Sequence, residues 1–188
     1  MKYPRRLAML VLPMIAVTAL GAPVSAAPSS DWPVLTRAQD GARPENRYCV
    51  TVLKKLAPGQ TESEVSSRQC ANTPEVLNEY RSSSAQSVLL VNLYEHADFG
   101  GFWEDIRGDD GPCDAAGYGI PNFTLGGALS SYRAFGTCNN VRLYSEQYYN
   151  GLASVPFRQE CGRLGVWNDL ARSFWVWHGG DRSCPATA

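Results

Sequence analysis

The chain has 188 residues, 17 basic and 18 acidic, a formal net charge of −1 and only two histidines. Hydrophobic residues make up 44% and charged residues 19%. That composition supports a folded core and offers no basic excess of the kind that nucleic acid or an anionic membrane surface requires.

The chain opens on Lys2, Arg5 and Arg6, followed by an apolar run over residues 7–20 and by Val24-Ser25-Ala26, a small-x-small cleavage signal. This is the layout of a secretory signal peptide over residues 1–26. A membrane span needs roughly 18–20 apolar residues; this run is shorter and Pro13 interrupts it. Secretion to the extracellular space is therefore expected, and not anchoring. Without Lys2, Arg5 and Arg6 the 17 basic residues become 14 against 18 acidic ones, a net charge near −4. Neither nucleic acid nor membrane is expected as a partner.

Residues 27–47 are rich in Pro, Ser, Ala and charge with no apolar period, so they read as an exposed tail or linker. Residues 48–87 form a small segment. Within it Tyr48-Cys49-Val50-Thr51-Val52-Leu53 alternates as a strand and Pro58-Gly59 marks a turn. Residues 61–65, with Glu64 three places after Thr61, read as a helix start, residues 73–81 as a short helix and residues 82–87 as a linker. The segment holds too few apolar residues for a core of its own, so it depends on a disulfide or on docking against the rest.

From residue 88 the signal is mainly strand, at residues 88–94, 131–135, 141–144 and 173–177. Tyr94, Phe99 and Gly101 share their spacing with Tyr144, Tyr149 and Gly151. Each copy suits a folded hairpin in which two rings pack over a tight turn and the glycine takes a positive φ. Each is followed by a serine-bearing stretch, Leu129-Ser130-Ser131-Tyr132 and Ala171-Arg172-Ser173-Phe174. The predicted fold is all-β: two Greek-key units of about four strands each, packed as a sandwich over residues 88–184. Trp103, Trp167, Trp175 and Trp177 are expected to supply much of its core.

All six cysteines lie beyond the cleavage point, which predicts three disulfides. Six cysteines allow 15 pairings; the symmetry of the two repeats favours Cys49 with Cys70, Cys113 with Cys138, and Cys161 with Cys184. A metal reading of these thiols is poor, because no Cys-x-x-Cys occurs.

The Tyr-x4-aromatic-x-Gly hairpin followed by a serine pair, present twice, resembles the Greek-key signature of the βγ-crystallin family over residues 88–180. Export and the disulfides make the likeness closer to secreted microbial members, among them small actinobacterial metalloproteinase inhibitors of the same fold. The resemblance implies calcium. In calcium-binding members a six-residue stretch, two Asn/Asp, two variable residues, Ser/Thr and Ser, supplies hard oxygen ligands at each of two paired sites. Here Gly126-Gly127-Ala128-Leu129-Ser130-Ser131 keeps both serines but has glycines at the first two places. Asn168-Asp169-Leu170-Ala171-Arg172-Ser173 keeps Asn-Asp but has arginine where a hydroxyl belongs. Because the paired sites draw on both stretches, Ser130 and Asp169 are left to serve one weak calcium site, and the fold is not expected to require the ion.

Glu104, Asp105, Arg107, Asp109 and Asp110 form the densest charged cluster and read as a solvated, turn-rich loop. No Gly-x-Ser-x-Gly, His-Glu-x-x-His or phosphate-cradling glycine loop occurs, and His96 and His178 stand alone, so an enzyme is not expected. The function that follows is a monomeric, noncatalytic binding or protective domain with an extracellular ligand. The alternative is an inhibitor of a secreted protease, presenting residues 111–123, a loop cross-linked at Cys113. A third reading, a carbohydrate binder, requires Trp103 or Trp167 to be exposed beside polar groups.

Overall fold

The computed structural model describes residues 48–83, 86–180 and 182–186. The signal peptide (1–26), the tail (27–47) and residues 84–85 of the expected linker lie outside the described residues. Among those described, no helix is long and apolar enough to cross a membrane.

Nine strands are formed among the described residues: β1 (Tyr48–Leu53), β2 (Val65–Ala71), β3 (Val88–His96), β4 (Gly100–Gly108), β5 (Tyr118–Ile120), β6 (Ser131–Ala134), β7 (Asn140–Tyr144), β8 (Glu160–Cys161) and β9 (Ser173–Trp177). They build two sheets, one in the order β2-β1-β4-β3-β6-β8 and one in the order β5-β9-β7. One strand of each repeat leaves its own sheet. β5, from the first repeat, pairs with β9, and β8, from the second, pairs with β6. This exchange joins the two Greek keys around one core, in which Leu93, Ile106, Tyr132, Leu143 and Phe174 are almost fully buried.

The tryptophans contribute less to that core than expected. Trp167 is buried, whereas Trp103, Trp175 and Trp177 are each partly exposed. The cause lies in the pleat. Successive side chains of β9 point to opposite faces, and Phe174 and Val176 take the inner one, so Trp175 and Trp177 stand on the outer face.

The segment before residue 88 joins the larger sheet. β1 pairs antiparallel with β2, with the Cys49–Cys70 disulfide at their Cys49↔Cys70 register, and its other edge runs parallel to β4 from Cys49↔Glu104 to Leu53↔Gly108. Residues 61–65 form no helix; Val65 already begins β2. Ser63 is turned inward: its N–H donates to the Gly119 carbonyl at 2.9 Å, and its Oγ accepts from the Gly119 N–H at 3.1 Å. That tertiary pairing outweighs the local capping pattern. Farther on, a 3-10 turn over Pro74–Leu77 leads into helix α1 (Asn78–Ser83), and Leu77 is buried in a small second core with Val50 and Ala71.

The acidic cluster is a solvated turn only at Asp109 and Asp110, which are exposed. Glu104 and Asp105 lie in β4 and are both buried. Glu104 accepts hydrogen bonds from the Thr51 hydroxyl (2.7 Å) and the Thr124 N–H (2.6 Å), with Arg68 Nε at 3.8 Å. Asp105 accepts a hydrogen bond from Arg81 Nε at 2.8 Å, with Arg81 Nη2 in ion-pair contact at 2.7 Å, and another from the Asn92 amide. Burial pushes the Asp105 carboxyl above the usual carboxylate range, by more than Arg81 pulls it down. A raised folded-state pKa gives stability that is complete below the ordinary carboxylate pKa and is lost as pH rises through the raised one. Asp105→Asn should therefore flatten the stability profile in the window just above the ordinary range. Urea unfolding across that window checks this, and a wild-type profile unaltered by the substitution would count against it.

Candidate functional site

Each repeat begins with a folded hairpin held in a left-handed turn. In the first, Asp98, Phe99 and Gly101 have φ of 55°, 66° and 78°; in the second, Tyr148, Tyr149 and Gly151 have 57°, 60° and 72°. Left-handed φ costs a non-glycine residue about 1–2 kcal/mol, so something must hold these turns. One part is ring packing: Tyr94 and Phe99 meet edge-on at 5.6 Å, and Tyr144 and Tyr149 at 5.4 Å. The other is a buried serine. Ser131 Oγ accepts from the Phe99 N–H at 3.0 Å and donates to the His96 carbonyl at 2.6 Å. Ser173 Oγ does the same with the Tyr149 N–H (3.0 Å) and the Glu146 carbonyl (2.6 Å).

Between the repeats the backbone follows an approximate two-fold. The Gly127 N–H donates to the Ala171 carbonyl at 2.8 Å, and the Asp169 N–H donates to the Leu129 carbonyl at 3.0 Å. Ser130 N–H bonds the Tyr94 carbonyl at 3.0 Å as Arg172 N–H bonds that of Tyr144 at 2.9 Å. Gly127 thus corresponds to Asp169, and Ser130 to Arg172. On one side Ser130 Oγ lies 3.4 Å from Asp169 Oδ1, while the other Asp169 oxygen accepts from the Asn168 amide at 2.8 Å. Asp169 itself is left-handed, at φ 57°. On the other side the Arg172 guanidinium fills the space: a Cβ added at Gly127 would lie 3.2 Å from its Cζ.

The two positions therefore differ in what they can accept. A carboxylate and a hydroxyl are hard oxygen donors that suit Ca²⁺, whose six to eight ligands would have to be completed by main-chain carbonyls and water. The second position already carries a cation of its own. Among the described residues no group of three or more His, Cys, Asp or Glu could hold a metal ion, so a metal with a preference for nitrogen or sulfur finds no cage.

The three disulfides join Cys49 to Cys70, Cys113 to Cys138 and Cys161 to Cys184, the pairing that repeat symmetry favoured, and they indicate an oxidising environment. The loop offered to a protease is largely internal. Tyr118-Gly119-Ile120 forms β5 and is buried, and Phe123 packs on Phe174 at 5.3 Å between ring centres. Its exposed part is Pro112 and residues 114–116, where Asp114 Oδ1 accepts from the N–H groups of Ala116 (3.0 Å) and Gly117 (2.9 Å).

Neither Trp103 nor Trp167 offers the exposed ring that a carbohydrate binder was expected to need. Trp167 is buried, and Trp103 is covered by the Arg81 guanidinium at 3.8 Å and by Tyr48 at 5.4 Å. On the outer face of the smaller sheet, however, Trp175 and Trp177 of β9, Arg142 and Tyr144 of β7, and Ala115 and Ala116 line a groove of about 410 Å³. Sequence reasoning missed it because two tryptophans in an alternating strand were assigned to the core. The signal was there in the apolar Phe174 and Val176 that occupy the opposite phase.

No family model matches the chain, and no curated protein matches it. Solved structures similar to it include a βγ-crystallin domain from Flavobacterium johnsoniae, 19% identical with a TM-score of 0.37, over 49% of this chain and 98% of that one. A βγ-crystallin from an archaeon is 21% identical with a TM-score of 0.35, over 47% of this chain and 98% of the other. The N-terminal domain of protein S is 16% identical with a TM-score of 0.37, over 49% and 99%. In its paired aromatic hairpins, its serine staples and the exchange of β5 and β8 between sheets, the chain from residue 88 onward has a βγ-crystallin-like fold.

Proposed function

We propose that this protein is an exported, monomeric, noncatalytic binding domain of the extracellular space, stabilised by one calcium ion held between its two repeats. The observation that carries the reading is the approach of Ser130 Oγ and Asp169 Oδ1 to 3.4 Å at one of two related positions, the other being filled by Arg172. A bound calcium ion would supply a positive charge that links the repeats. The Asp169 carboxylate offsets half of that charge and the Ser130 hydroxyl adds a second side-chain oxygen. With two such ligands the affinity belongs with weak extracellular modules, about 10⁻⁴–10⁻³ M. Export is supported by the basic and apolar leader together with three formed disulfides. The noncatalytic reading is supported by the use of Glu104 and Asp105, the most buried acidic pair, as structural acceptors.

Calorimetry and thermal unfolding of the oxidised protein, in EDTA and in millimolar Ca²⁺, test the calcium part. One site and a rise in melting temperature of about 3 °C are expected, from the binding of ligand to the folded state alone. Asp169→Gly, which copies the mirrored Gly127 and tolerates the positive φ, should remove both. Absence of calcium heat together with an unchanged melting temperature in the wild type discards the site, and a stoichiometry of two overturns the role given to Arg172.

A further inference from the structure

We propose that the groove on the outer face of β7 and β9 binds an acidic saccharide, a uronic-acid-bearing chain whose sugar faces stack on Trp175 and Trp177 and whose carboxylate is taken by Arg142. This rests on the binding-domain reading and names its ligand class; it does not depend on calcium.

The sheet builds the platform. Trp175 and Trp177 are alternate residues of one strand, so they stand on one face about 7 Å apart along it. Arg142 lies directly across from Trp175 in the β7–β9 register, and Tyr144 follows on the same face. Ala115 and Ala116 form a low wall opposite. The Trp175 indole is fixed in place, because its N–H donates to the Ala116 carbonyl at 2.8 Å, and Tyr149 packs beside it at 5.6 Å. With its own N–H satisfied by the protein, this ring has its face left to offer. Aromatic faces that are apolar in the middle and polar at the rim match a pyranose ring, which has a C–H face and a hydroxyl edge.

Arg142 supplies the charge selection. Its Nε is buried and has no hydrogen-bond partner, and the side chain makes no ion pair among the described residues. Arg68, Arg81, Arg133 and Arg163 each lie within salt-bridge distance of a carboxylate. Arg142 therefore keeps the terminal nitrogens of its guanidinium unpaired among the described residues, between aromatic walls that lower the local dielectric. The two terminal nitrogens of the guanidinium match a carboxylate in a bidentate manner. A neutral sugar satisfies the indoles but leaves the guanidinium charge unpaired, so the acidic sugar should be preferred.

The test uses the full oxidised chain in EDTA, which removes calcium from the measurement. Tetragalacturonate is titrated against tryptophan fluorescence and by calorimetry, with cellotetraose as the neutral control and acetate as the bare carboxylate. Saturable binding of tetragalacturonate is expected, with cellotetraose weaker by about tenfold or more and acetate giving no saturation. Arg142→Gln should weaken tetragalacturonate by about tenfold and cellotetraose by much less. Trp177→Ala should weaken both, and Trp177→Phe serves if the alanine variant loses its circular dichroism spectrum. Equal affinity for the two sugars, indifference to Arg142→Gln, or no saturation by about 10 mM tetragalacturonate overturns the proposal. Self-association in sedimentation equilibrium that Trp177→Ala abolishes also overturns it, by making a second copy the occupant. Calcium binding can fail while this titration succeeds, and the reverse, so the two readings are judged separately.

Discussion

Replacing Glu104 with alanine should lower the unfolding free energy by about 3 kcal/mol, the range expected when a buried, hydrogen-bonded charge is removed and its partners are left behind. Glu104 is fully buried, and it binds three parts of the molecule at once: Thr51 of β1, Arg68 of β2 and the Thr124 N–H beyond β5. Alanine leaves the buried Thr51 hydroxyl and the Thr124 N–H without their acceptor. Arg68 is partly exposed and can turn to water, which keeps the expected loss from being larger. Against a typical stability of about 5–15 kcal/mol this is a substantial share, equivalent to a fall of about 10 °C in melting temperature. Glu104→Gln keeps one carbonyl acceptor and should lose less. Urea unfolding of the three proteins decides the matter; a loss below about 1 kcal/mol for alanine would mean that β1 and β2 are held by strand pairing alone.

Substituting both Cys113 and Cys138 with alanine should lower stability by about 3–5 kcal/mol. Closing a loop of this length accounts for about 3 kcal/mol in the chain-entropy account. The rest comes from position. Both cysteines are buried in the main core, so their sulfurs leave voids that the surroundings fill incompletely. The bridge also spans the part of the chain that carries β5 across to the second sheet. Calorimetric unfolding of the double variant measures the loss. A decrease under about 1 kcal/mol would show that packing by Tyr118, Ile120 and Phe123 fixes this crossing without the bridge.

The hairpins were legible because their requirements are local. Tyr94, Phe99 and Gly101, and then Tyr144, Tyr149 and Gly151, each meet within eight residues, and each group is followed by a serine, Ser131 or Ser173, that opens the last strand of its repeat. The strands β1, β3, β6, β7 and β9 were legible for the same reason, and repeat symmetry identified the disulfide partners. What escaped was set at long range. Nothing in Thr61-Glu62-Ser63-Glu64 announces that Ser63 will bond Gly119, so a helix start was read where a strand begins. Glu104 and Asp105 looked solvated because their partners, Thr51, Arg68 and Arg81, are far away in the chain. In the candidate site, the motif itself names Ser130 and Asp169 and sets Arg172 against the glycines, and the coordinates add the contact of its guanidinium with Gly127. The groove at Trp175 and Trp177 was hidden by phase, since alternation gives two faces without saying which is inside.

The parallel seam between β1 and β4 has a consequence for how a new chain assembles. β1 and β2 are neighbours in sequence and can close on each other early, with Cys49 and Cys70 in register. Their docking edge, however, must wait for β4, because the seam pairs position 49 with position 104 and each place beyond in step. Contacts between such distant residues form slowly, and bare strand edges can pair with another chain in the meantime. The part of this protein that is synthesised before the rest of the sheet is therefore among the last to be installed. Its first disulfide acts as a clip that keeps an unfinished ribbon in shape during the interval when two nascent molecules are most able to zip together.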